Sequence, residues 1–228
     1  MIRAVLACVA LLWTTAPAAA PDPQLAAAFR AAFGRSGSVV VKLTGDEMTE
    51  QVKFKPGALV HTPFGPALLA PGEVVDAAHV SAGKMGVVYL KRTPRGFAVA
   101  KRFVPAMETG SFGQIGKWQV SHAFGGLPIV SVEGGGTWQG YTCHWTTLLE
   151  LASDKPRELV TVPLYYNNAG AIQDGKRPTT IDGKIARIVP GKSFDVVYSG
   201  ARKFSERYVR RGDAYELAGG GETKMETC

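Results

Sequence analysis

The sequence is poor in the residue patterns that build metal and nucleophile centres. Its four histidines, His61, His79, His122 and His144, include no pair at i, i+2 or i, i+4, so local HxH and HExxH metal sites are excluded. Its three cysteines form no CxxC pair, which removes the redox and zinc motifs built on that spacing. There is no GxSxG, hence no nucleophile elbow. Ser121 and His122 are adjacent, and on a strand adjacent residues face opposite ways, so they cannot act as a nucleophile–base pair. The triple glycine Gly134-Gly135-Gly136 is not followed by Lys-Ser/Thr and is no phosphate loop. No internal repeat of propeller length recurs. We therefore expect no metal and no cofactor.

Long apolar runs are also scarce. Residues 4–13 are uninterruptedly apolar, but that run is shorter than the roughly eighteen residues a helical span needs. It follows a positive start, Met1-Ile2-Arg3, and precedes small residues around Pro17. This order is that of a secretory signal peptide. Cleavage is expected after Ala18, which puts Ala16 and Ala18 at the small-residue positions; cleavage after Ala20 would place Pro21 at the scissile bond. Cys8 lies near the start of the run, not its end, so no lipid anchor is expected. The expected organisation is a cleaved signal peptide at 1–18, an N-terminal helix and linker at 19–36, and a single β-rich domain at 37–228. The mature chain should be periplasmic or secreted, with no transmembrane segment.

Export decides how the cysteines are read. Cys143 and Cys228 remain after cleavage, and an oxidising compartment favours one disulfide between them. Closing so long a loop stabilises the fold by roughly 4–5 kcal/mol in the chain-entropy model.

What the sequence has in quantity is turn formers, 27 glycines and 14 prolines in 228 residues. One segment has helical spacing: Leu25, Ala28, Phe29, Ala32 and Phe33 recur on one face, and Gly34 follows as a stop. From residue 37 the period becomes two. Val39, Val41 and Leu43 alternate with polar neighbours, and residues 85–90 are almost wholly apolar, as in a strand covered on both faces. Thr93-Pro94-Arg95-Gly96 is a hairpin-like turn. Residues 129–133 and 159–164 give further strands, and 185–217 read as a meander with turns at Pro190-Gly191 and Arg211-Gly212. Residues 139–151 are ambiguous in period; their Thr, Tyr and Trp content favours strand, with Cys143 facing inward between Tyr141 and Trp145 and His144 opposite. The expected fold is all-β: an antiparallel sandwich or barrel of about ten short strands behind one short helix.

Two loops have the composition of a contact surface. Glu133, Trp138 and Gln139 flank the triple glycine, an acid, a large ring and an amide suited to a sugar or peptide. The simpler reading is a bulged hairpin in which Trp138 caps the core. Tyr165, Tyr166 and Asn167 follow an apolar strand and supply area and hydrogen bonds at small entropic cost, although Asn-Asn-Ala-Gly is also an ordinary turn. Asp174-Gly175, Asp182-Gly183 and Arg211-Gly212-Asp213 read as turn signals, not as calcium loops or an adhesion motif.

The formal charge is +7, from 26 basic and 19 acidic residues. Basic residues cluster in 84–107, including Arg92 and Arg102, and in 184–211, including Arg202 and Arg210. Placed side by side on one sheet, these segments would form a positive face for an anionic envelope polymer; the alternative is that they only keep strand edges soluble. No nucleic acid is expected outside the cytoplasm. The reading as a whole is an exported, non-enzymatic β-domain that binds a cell-envelope component or a protein partner. The alternative is a glycosidase-like envelope hydrolase using paired carboxylates, Glu133 with Glu108 or Glu150. Nothing in the sequence specifies an oligomeric state.

Overall fold

A computed structural model describes residues 22–45, 49–172 and 176–228. The expected signal peptide with Cys8, and Asp174-Gly175, lie outside the described residues.

The helix forms where its spacing predicts. α1 (Pro23–Phe33) opens on Asp22, whose carboxylate accepts the Gln24 N–H, and closes at Gly34, whose N–H donates to the Arg30 carbonyl. Among the described residues fourteen strands follow, all paired antiparallel, in two sheets. The first sheet holds β1 (Val39–Thr44), β2 (Thr49–Phe54), β3 (Ala58–Thr62), β4 (Gly65–Val74), β5 (Gly83–Thr93) and β6 (Gly96–Thr109). Its order is β1-β2-β4-β5-β6, with β3 sharing one edge of β4 with β2. The second sheet is an eight-stranded meander of β7 (Trp118–Ser121), β8 (Ile129–Trp138), β9 (Tyr141–Leu151), β10 (Pro156–Asn167), β11 (Thr180–Val189), β12 (Ser193–Gly200), β13 (Phe204–Arg211) and β14 (Ala214–Leu217). The all-β sandwich is as expected. The strand number exceeds the expected ten mainly because β2 and β3 are short, with weak alternation, and β4 carries internal Pro and Gly.

Alternation along single strands explains the layering. On β5, Met85, Val87 and Tyr89 face the second sheet, while Val88 and Leu90 face α1. On β4, Ala67 and Leu69 point one way and Leu68 and Ala70 the other. The first sheet is thus covered on both faces, which is why residues 85–90 carry no polar side chain facing water. Ala28, Phe29 and Ala32 of α1 close its outer face over Val52, Phe54 and Leu68. A fully buried side chain such as Phe29 contributes about 1.5–3 kcal/mol. The inner layer joins the sheets, with Val130, Val132, Leu149 and Leu151 of the second against Met85, Val87 and Met107 of the first.

The second sheet has a further core of its own on its other face. Ile129 and Leu148 begin it, and Phe194, Val196, Tyr198 and Tyr208 continue it along the meander. The stretch 141–151 is strand, paired in unbroken register with β8 from Ile129 opposite Glu150 to Trp138 opposite Tyr141. The triple glycine therefore lies inside a regular strand. The expected bulge there is absent, and the hairpin turns instead at Gln139-Gly140, both at positive φ (49° and 85°), the conformation of a two-residue hairpin turn. Asp182-Gly183 lies within β11 and is no turn; the missing Cβ of Gly183 makes room for the Tyr198 ring.

The residues 222–228 pack back onto this core. Cys143 and Cys228 are joined, with Cα atoms 6.0 Å apart. Met225 is buried, the Thr223 hydroxyl donates to Glu206, and Arg202 pairs with Glu226. No helix among the described residues is long and apolar enough to cross a membrane.

Candidate functional site

Glu133 stands exposed on β8 where two depressions meet. One, of about 420 Å³, runs from Gly110, Ser111 and Gln114 past Lys117 to the glycine strip and His144. The other, of about 570 Å³, is lined by Trp118, Gln119, Ser131, Thr146, Leu164 and Ile185, again with Lys117 and Glu133. Both depressions follow from the register. Glu133 is opposite Thr146 and Gly135 opposite His144, so Glu133 and His144 are diagonal neighbours, about 7–8 Å apart at the backbone, with no side chain between them. The β7 side of Glu133 is held by the chain itself: its N–H donates to the Lys117 carbonyl at 2.8 Å, and its carbonyl accepts the Gly116 N–H at 2.9 Å. This exchange fixes Lys117 beside Glu133 and leaves both exposed side chains at the cleft.

The other candidates do not converge on that cleft. Trp138 stacks on Trp145 at 6.1 Å and on His79 at 6.3 Å, in near-parallel planes. It packs, partly buried, against the second sheet's core. Gln139 sits in the turn. Tyr165 stacks on His144 at 5.1 Å and lines a separate recess of about 130 Å³ with Cys228 and Glu226. Tyr166 is buried in the second core. Asn167 is engaged locally: it donates to the Thr180 hydroxyl at 2.7 Å and accepts the Ala169 N–H at 2.8 Å. His144 links the two regions, touching both the cleft and the Tyr165 recess.

The carboxylates considered as catalytic partners of Glu133 are otherwise engaged. Glu108 lies 2.7 Å from the Lys84 ammonium, which also takes Glu50 at 2.8 Å. Burial by itself lowers the Lys84 pKa, and the hydrogen bonds to Glu108 and Glu50 more than offset it, holding the ammonium above the ordinary lysine range. Glu150 accepts both Nη atoms of Arg210, at 2.9 and 3.2 Å. It is opposite Ile129, four residues along β8 from Glu133, or about 13 Å. Among the described residues no three His, Cys, Asp or Glu side chains gather as a metal site would require.

The premise of one shared basic face does not hold. Arg92 and Arg102 lie on the first sheet, Arg210 on β13 of the second and Arg202 in its β12–β13 turn. Arg102 donates to the Ala32 carbonyl and covers the Phe33 ring, tying α1 to β6. Arg92 lies over Phe97, Arg202 over Phe204 while paired with Glu226, and Arg210 over Tyr215 while paired with Glu150. Each sits over an aromatic ring of its own surroundings.

Sequence reasoning missed Lys117 and the contribution of Ser131, Thr146 and Ile185. Their residue types carry no motif, and only the pairing of β7, β8 and β9 and the packing of β11 bring them to Glu133. Comparison with family models, with curated proteins and with solved structures finds no match to this chain.

Proposed function

We propose that the chain is an exported β-domain that binds a component of the cell envelope, a glycan or the polar surface of a protein partner, in the cleft around Glu133. One observation carries the reading: an exposed carboxylate without an ion-pair partner among the described residues stands where two depressions meet, with exposed Lys117, held through its backbone, lining both depressions beside it. Glu133 accepts from ligand hydroxyls or amines, and Lys117 donates to carbonyl or carboxylate oxygens. The partly apolar wall of Leu164 and Ile185 supplies area. A binding role is favoured over hydrolysis because Glu108 and Glu150 are each paired with a cation, and among the described residues lining the two depressions Glu133 is accompanied by no second carboxylate to share acid–base work.

Cosedimentation of the full chain with insoluble peptidoglycan tests the reading. Glu133→Gln and Lys117→Ala should each weaken retention by roughly tenfold, the loss of one charged hydrogen bond, without changing the melting temperature. Retention equal to wild type in both variants would contradict it. Export is tested by the intact mass of protein recovered outside the cytoplasm, which should lack residues 1–18.

A further inference from the structure

We propose that the two ends of the first sheet bind each other between copies of this chain: the tip at Val80 and Phe112 of one copy seats in the groove beside the β5–β6 hairpin of the next. The tip stands at the start of β5. Loop 75–82 runs into Gly83, and Gly83 is paired with Thr109, after which loop 110–117 begins. Val80 is 80% exposed and Phe112 58% exposed. The Phe112 N–H donates to the His79 carbonyl at 3.0 Å and the Gly113 N–H to the Ser81 carbonyl at 2.8 Å, so the two loops form one unit. Phe112 has φ +51°, a conformation that bulky residues rarely hold unless their surroundings impose it. Acids accompany the tip. Asp76 is exposed in the first loop, and exposed Glu108 precedes Thr109. Glu108 and Glu50 share the one buried ammonium of Lys84, which leaves that trio negative. Lys117, the exposed cation of the two loops among the described residues, stands at the Glu133 cleft.

The far end of the same strand has the complement. β5 is 11 residues long, so that end lies about 35 Å away, where the chain turns through Thr93-Pro94-Arg95-Gly96. Lys91, Arg92 and Arg95 are exposed there, and residues 91–97 include no acid. Against this hairpin lies a groove of about 300 Å³, lined by Pro23, Ala27, Thr93 and Phe97 with Arg92 among them. Asp22 is the acid beside it, and its carboxylate caps α1, accepting the Gln24 N–H at 2.9 Å. An apolar projection accompanied by acids and an apolar groove accompanied by cations are complementary in shape and in charge. Both halves belong to one chain, which commits the occupant to a second copy. Lying at opposite ends of β5, they cannot meet within a copy. The contact is therefore heterologous, head to tail, and it repeats from copy to copy. A contact this small gives a weak, transient association.

Sedimentation velocity of the full chain at concentrations up to about 1 mM tests this. Wild type should form dimers and larger species, and the association should weaken about tenfold at high salt. Val80→Asp blocks the tip, and the pair Arg92→Glu with Arg95→Glu blocks the groove end. Each variant should sediment as a monomer with an unchanged melting temperature, because all three side chains are exposed. Arg95→Glu alone, in the turn, should weaken association about tenfold. Mixed in equal amounts, the tip variant and the groove variant should recover a dimer and nothing larger, since each keeps the half that the other has lost. Glu133→Gln should associate like wild type. The proposal is overturned if wild type stays monomeric at every concentration. It is also overturned if Val80→Asp or the arginine pair associates like wild type, or if their mixture holds only monomers.

Discussion

The indole Nε1 of Trp145 on β9 donates to the hydroxyl of Thr109 on β6 at 3.0 Å, a hydrogen bond from one sheet to the other. It forms because residue 134 is glycine. A Cβ there would lie 2.2 Å from the Thr109 Oγ1 and 2.4 Å from the Trp145 Nε1.

Gly134→Ala should therefore destabilise the fold by about 2–4 kcal/mol, combining overpacking with loss of the bond. Thr109→Val, which removes the acceptor at similar volume, should cost about 1–2 kcal/mol because the half-buried indole N–H loses its partner. Denaturant unfolding of the two variants separates the effects, and Thr109→Ser should stay close to wild type.

The helix is a structural part of the domain. Phe29 is fully buried beneath it, and Ala28 and Ala32 lie within 2% of full burial. Phe29→Ala should cost about 3–5 kcal/mol. A loss below about 1 kcal/mol in the same unfolding assay would mean that α1 does not hold the outer face of the first sheet.

Cys143 to Cys228 closes a separation of 85 residues. Cys228→Ser should lower stability by about 2–5 kcal/mol and free the Cys143 thiol for alkylation. Because Cys143 is 6% exposed, that thiol should react slowly in the native state and fully in denaturant.

Asp195 sets part of the acid response. Its carboxylate, 3% exposed, accepts Arg207 at 2.7 Å and Arg187 at 2.6 Å. The hydrogen bonds from Arg207, and then those from Arg187, hold its pKa below the ordinary carboxylate value against the opposing effect of burial. A depressed folded pKa gives a contribution fully present above the unfolded value near 3.9 and lost as pH falls through the folded value. Asp195→Asn should thus be less stable at pH 7 by about 1–3 kcal/mol, and its stability should fall less steeply than that of wild type below about pH 4.

Local pattern was enough wherever a strand has one buried face or two. Phe194, Val196 and Tyr198 alternate and are all buried, and β14 spans Ala214–Leu217 after the turn at Gly212. Local pattern failed where long-range pairing decides. No local signal marks 65–74 as one strand, yet β4 runs through Pro71 and Gly72, because one edge pairs with β5 and the other is shared by β2 and β3. The candidate site divided in the same way. Glu133 stood out through the glycines beside it, whereas Lys117 is set there by the backbone bonds between 116–117 and Glu133. The basic segments misled because charge along the chain says nothing about partners: Arg210 meets Glu150, which is 60 residues away in sequence.

The most direct test of the Glu133 cleft as the binding site is amide chemical-shift mapping of the labelled full chain titrated with soluble peptidoglycan fragments. The account predicts shifts concentrated at 114–119, 131–137, 144 and 146, removed by Glu133→Gln. Shifts confined to the basic surfaces around Arg92 and Arg202, or none at saturating fragment, would contradict it.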